Sequence, residues 1–150
     1  MMPGNEAHSL AGFAAGVAAI PACRKVLISE PSPIEKGIAI IASMIGSCTP
    51  DWLEPADSPE HRGFYHSYIG GSLVAVGTVK ASYELQNEIK KLEAAFLWYR
   101  ENGRPIPTED LSSYQVLRWI LCLVVGFSFG YGSHLVLDGM TPKSLPLLGA

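Results

Sequence analysis

From Trp119 to Leu137 the chain runs 19 residues without a formal charge. That is about the length a helix needs to cross the hydrocarbon core of a bilayer, roughly 20 residues. Three more apolar runs precede it: residues 8–23, rich in alanine and glycine, then Gly37 to Cys48, then Gly63 to Val79. They are separated by polar stretches that carry proline, which removes a backbone donor and disfavours helix at the residue before it. These breaks are Ser29-Glu30-Pro31-Ser32-Pro33, Thr49-Pro50, and residues 101–110, Glu-Asn-Gly-Arg-Pro-Ile-Pro-Thr-Glu-Asp. Four apolar helices in series predict an all-α fold, an up-down four-helix bundle that is transmembrane or membrane-associated, with residues 1–150 as one domain. The first three runs are near or below spanning length, so each crosses with tilt or thinning or is a buried core helix.

Composition points the same way. Hydrophobic residues make up 48% and charged ones 17%, against about a quarter charged in ordinary soluble domains. The net charge of −3 gives no basic surface for nucleic acid. The lipid bilayer is the expected partner, together with a small-molecule or lipid-like substrate. Cys23, Cys48 and Cys122 are odd in number, lie in apolar runs and form no C-x-x-C, as expected of small buried hydrophobes. Residues 1–7 carry no basic n-region, so a cleaved signal peptide is not expected.

Local patterns refine the helices. Small residues in the first run suit close helix approach. Pro50 is expected to end the second helix and leave Asp51 at its tip. From Lys80 to Arg100, Leu85, Ile89, Leu92 and Phe96 alternate with Glu84, Glu88, Lys90, Lys91 and Glu93. That spacing predicts an amphipathic extension of helix three, solvated on one face. Thr108, Asp110 and Ser112 each suit the N-cap of helix four. Gly126, Gly130 and Gly132 are expected at helix contacts. Trp52, Tyr65, Tyr68 and Tyr131 suit an interfacial aromatic belt.

The reactive side chains are few. All four histidines, His8, His61, His66 and His134, sit with Asp51, Glu54 and Asp138 at run boundaries. Helices joined in series alternate direction, so the start of helix one, the end of helix two, the start of helix three and the end of helix four share one end of a bundle. His134 and Asp138 lie one turn apart on one helix face. Each residue alone has a simpler reading: His66 as a hydrogen-bonded core histidine, His134 with Asp138 as a surface pair. Together they predict a divalent-metal site with His8, Asp51, His66, His134 and Asp138 as ligands. Zinc is the first expectation, manganese or iron the alternatives. Metal-bound water ionises near neutrality, which supplies a hydroxide for ester or phosphoester hydrolysis. His61 would act as a further ligand or proton-transfer group, Arg62 would hold an anionic substrate group, and Glu54 is the candidate general base. Arg24, Lys25, Lys36, Lys80, Lys90, Lys91, Arg100, Arg104 and Arg118 are assigned to the opposite connections. The positive-inside rule then puts the cluster at the outer, periplasmic face of a multi-pass protein.

The motifs Gly46-Ser47-x-x-Pro50-Asp51, His61-Arg62-Gly63-Phe64-x-His66-Ser67 and Gly130-Tyr131-x-Ser133-His134-x-x-x-Asp138-x-x-Thr141-Pro142 resemble the YdjM-like family of membrane-bound, predicted metal-dependent hydrolases. The resemblance runs from His8 to Leu148, with residues 80–118 unspecific. It implies an all-helical inner-membrane protein with a divalent-metal site, distantly similar to zinc-dependent phospholipase C helices. Many relatives read Pro-Asp-x-Asp, whereas this chain has Leu53 at the second acid's place and Glu54 next. The function expected is metal-dependent hydrolysis of a phosphoester or lipid-like substrate. The rivals are a non-catalytic membrane adaptor with a structural metal, a small ion or solute transporter component, and a soluble helical binding domain.

Overall fold

A computed structural model describes residues 5–54 and 63–140. It holds four α-helices, α1 (Asn5–Leu27), α2 (Pro33–Leu53), α3 (Tyr68–Glu101) and α4 (Thr108–Gly139), with a 3-10 turn at Phe64–His66 ahead of α3. No strand occurs among the described residues, and the fold is the all-α bundle the apolar runs predict. Helices α1, α2 and α4 form a tight three-helix core, and α3 lies chiefly against α4.

Glycine sets the core spacing. A Cβ on Gly126 would fall on the Ala39 carbonyl, one on Gly130 on the Ser43 carbonyl, and one on Gly46 on the Phe127 carbonyl. On the other side of α2, Gly12 meets Ser47 and Gly16 meets Ile40. Backbones therefore touch where larger residues would hold them about 8–10 Å apart axis to axis. Gly132 does not join them: no described residue lies within 4 Å of its added Cβ.

The bundle inverts the usual distribution of polarity. Leu10, Phe13, Val17, Ile41, Ile45, Leu73, Val76, Leu123 and Val136 are exposed, while Glu35, Ser43, Ser47, His66, His134 and Asp138 are buried. Soluble domains rarely leave so continuous an apolar exterior. Over Glu6–Leu27 and Thr108–Gly139, α1 and α4 are long and apolar enough to cross a membrane.

Several local expectations are corrected. α2 does not stop at Thr49 but runs through Pro50 to Leu53. Proline there forfeits one hydrogen bond in the final turn, and the next is kept, with Glu54 N–H donating to Pro50 O at 2.9 Å. The α3–α4 connection is shorter than residues 101–110, because α4 begins at Thr108. Pro107 occupies the N-cap and no side chain caps the helix; Ser112 Oγ instead donates back to Glu109 O at 2.9 Å. α2, by contrast, opens with a reciprocal capping box: Ser32 Oγ accepts from Glu35 N and Glu35 Oε2 accepts from Ser32 N.

At about 1.5 Å per residue, α3 and α4 are longer than α1 and α2 by roughly 15 Å. The surplus forms a two-helix hairpin in which Phe96 packs edge-on against Tyr114 and Tyr114 OH donates to Glu93 at 2.9 Å. The amphipathic extension of helix three is thus half of a hairpin. At its base Arg118, expected among the loop cations, lies inside α4 and grips Glu35 with two hydrogen bonds, Nε–Oε1 at 2.6 Å and Nη2–Oε2 at 3.1 Å.

Candidate metal centre

At the opposite end of the bundle four elements meet. His8 comes from the first turn after the start of α1, Asp51 from the last turn of α2, His66 from the 3-10 turn, and His134 and Asp138 from the last turns of α4. His8, His66 and His134 are at most 3% exposed. Asp51 is the more open member, with 26% of its side chain accessible against 8% for Asp138.

Atom by atom, the imidazole Nε2 positions turn toward the carboxylates. His66 Nε2 lies 3.2 Å from Asp51 Oδ1 and 3.7 Å from Asp138 Oδ2. His134 Nε2 lies 3.3 Å from Asp138 Oδ2 and 3.6 Å from Asp51 Oδ1. His8 Nε2 is 3.9 Å from Asp51 Oδ2, and its ring stacks on that of His134 with centroids 4.1 Å apart. Two overlapping sets, His8–Asp51–His134 and His66–His134–Asp138, each offer three donor atoms within 4.8 Å of one another.

The tautomers follow from what lies behind each ring. His134 Nδ1–H donates to the Ser47 carbonyl at 2.6 Å, which leaves Nε2 with a lone pair. That Nε2 is buried and makes no hydrogen bond among the described residues. A buried acceptor left without a donor costs about 1–3 kcal/mol, and a cation at this point would remove the penalty. His66 Nδ1 faces Glu54 Oε2 at 3.0 Å. Burial works against the His66 imidazolium, but hydrogen bonds to Asp51 and Glu54 and the nearby Asp138 charge outweigh it and hold the pKa above the ordinary histidine value. A cation held by His66 Nε2 would compete with a proton there.

Five of the predicted ligands are thus brought together, His8, Asp51, His66, His134 and Asp138. Glu54 meets the cluster at His66. His61 and Arg62, like Thr141 and Pro142 of the last motif, lie outside the described residues. Of the aromatic residues, Trp52, Tyr65 and Tyr68 are exposed, but Tyr131 is not. Tyr131 is 2% exposed, and its hydroxyl donates to Tyr65 O at 2.5 Å, bracing the turn that carries His66.

Some contributors were not singled out from sequence. Ser47 acts through its carbonyl, an atom every residue has, so only its position one turn before Asp51 hints at it. The Ser32-x-x-Glu35 capping signature is legible in the chain, but the salt bridge that Glu35 makes with Arg118, 83 positions away, is not.

Neither curated proteins nor solved structures give a match to this chain. The profile of the YdjM inner membrane protein family matches residues 1–149. With an apolar exterior around buried polar groups and that match over nearly the whole length, the chain belongs to the YdjM inner membrane protein family.

Proposed function

We propose that this protein is a metal-dependent hydrolase of the inner membrane, acting on a phosphoester or lipid-like substrate. The observation that carries the reading is the convergence of three imidazoles and two carboxylates at one end of the bundle, with the buried Nε2 of His134 aimed in and without a hydrogen bond among the described residues. His8, His66 and His134 would hold the cation through Nε2, with Asp51 and Asp138 as the anionic donors. This imidazole–carboxylate set suits zinc, manganese or iron. A cation there acidifies water and polarises a phosphoryl or carbonyl oxygen. The chain's own part is to present these donors in a buried cluster whose most exposed member is Asp51. Arg62 and His61, which precede Gly63 in the chain, are assigned to holding the substrate's anionic group and to proton transfer.

Four crossings would follow from the up-down topology. Arg24, Lys25, Lys36, Arg100 and Arg104 lie at the end away from the cluster, which by the positive-inside rule supports a periplasmic metal centre. Alkaline phosphatase fused directly after α4, at Met140, should be active, and an inactive fusion would reverse the orientation.

The deciding measurement is metal content of detergent-purified protein. Wild type should carry a divalent cation that is lost in His134→Ala and His66→Ala, and EDTA-sensitive turnover of phosphoester lipid analogues should vanish with it. Unchanged metal in both variants would refute the site. A second reading, a structural metal staple, is favoured by the burial of four of the five donors. Solvent-water coupling to bound Mn(II) in magnetic resonance separates the two, since a staple has no exchangeable water. Close packing of α2 on α4 at Gly46, Gly126 and Gly130, and of α1 on α2 at Gly12 and Gly16, supports a rigid bundle over the transporter reading.

A further inference from the structure

Glu54 stands just beyond α2, at its C-cap. Its carboxylate accepts two hydrogen bonds from the far side of the centre: Oε2 from His66 Nδ1 at 3.0 Å and Oε1 from the Tyr65 backbone N–H at 3.2 Å. The side chain is 19% exposed. Gly63 makes the room for it, because a Cβ on Gly63 would collide with the Glu54 carboxylate. Together these contacts tie the Phe64–His66 turn to the end of α2.

The two nitrogens of an imidazole point away from each other. With Glu54 on Nδ1 and Asp51 and Asp138 on the Nε2 side, Glu54 stands behind the ring relative to the other donors. It therefore reaches neither a cation seated among them nor a water on that cation. We propose that Glu54, accommodated by Gly63, is a positioning residue: it holds His66 in the Nδ1–H tautomer with Nε2 turned to the cation, and its charge raises the ring's donor strength. This replaces the general-base role expected from sequence, and it rests on the metal-centre reading above. Carboxylates that back a ligating histidine contribute about 10–100-fold to metal affinity.

The test is zinc titration of the full chain in detergent against a chromophoric chelator, comparing wild type, Glu54→Gln, Glu54→Ala, Gly63→Ala and His66→Ala. Visible spectra of the cobalt-substituted forms and thermal melting without metal are recorded alongside. Glu54→Ala and Gly63→Ala should weaken zinc binding about 10–100-fold. Glu54→Gln, which keeps one acceptor oxygen but no charge, should fall between them and wild type, with a shifted cobalt spectrum and near-normal metal-free melting. Unchanged affinity and spectrum in both Glu54 variants overturn the proposal. So does a loss in Glu54→Ala as complete as in His66→Ala, which would make Glu54 a ligand. So does full recovery of wild-type affinity and spectrum in Glu54→Gln, which would reduce Glu54 to a brace for the turn. Absence of zinc binding in wild type would instead remove the metal centre itself, and this inference with it.

Discussion

Replacing Gly130 with alanine should destabilise the protein, although alanine is the better helix former. An added Cβ would sit 2.6 Å from the Ser43 carbonyl carbon and 2.8 Å from its Cα. Ordinary carbon contacts lie near 3.5 Å, so α4 must retreat from α2 by roughly 1 Å. Overpacking of this kind costs about 1–3 kcal/mol. The obstacle is backbone, which cannot rotate aside, so the upper part of that range applies. The helix preference of alanine returns about 0.5–1 kcal/mol, leaving a net loss near 2 kcal/mol. Gly132→Ala is the matched control two residues on, with no described residue within 4 Å of the new methyl, and should gain about 0.5–1 kcal/mol. At about 2–4 °C per kcal/mol for a chain of this size, the two variants should melt roughly 5–10 °C apart. Circular dichroism at 222 nm in detergent reads the difference. Gly130 also lies one turn before His134, whose Nδ1 bonds the Ser47 carbonyl, so Gly130→Ala should weaken metal binding and Gly132→Ala should not. Coincident melts would refute the close α2–α4 approach.

Two further predictions use the same melts. Arg118→Ala leaves Glu35 buried without its partner and should cost about 3–5 kcal/mol, whereas Arg118→Met with Glu35→Gln should recover most of it; equal melting of the single and double variants would sink the argument. The metal-free protein should respond to pH through His66, whose raised folded pKa means a stabilising proton that is fully present below the unfolded value and lost as pH rises through the folded one. On the proposed ligand set a metal would take the same nitrogen, so metal-loaded protein should show the opposite trend and lose stability on acidification; parallel pH profiles with and without EDTA would refute the shared position.

Much of this protein was decided by one-dimensional pattern. The uncharged run before Leu137 and the proline-bearing breaks demand helices, because a backbone in an apolar setting must bond to itself. Chain order then placed His8, Asp51, His66, His134 and Asp138 at one end, since antiparallel helices return every second boundary to the same side. Tertiary structure decided what depends on atoms rather than on order. Which imidazole nitrogen faces inward is set by the Ser47 carbonyl and the Glu54 carboxylate behind the rings. Only the packed bundle separates Gly130, pressed on Ser43, from Gly132, open to its surroundings. It likewise turns Arg118 from a presumed loop cation into the buried partner of Glu35. Periodicity encodes which face a residue occupies, but the atom that meets it comes from another helix at a depth fixed only when all of them pack.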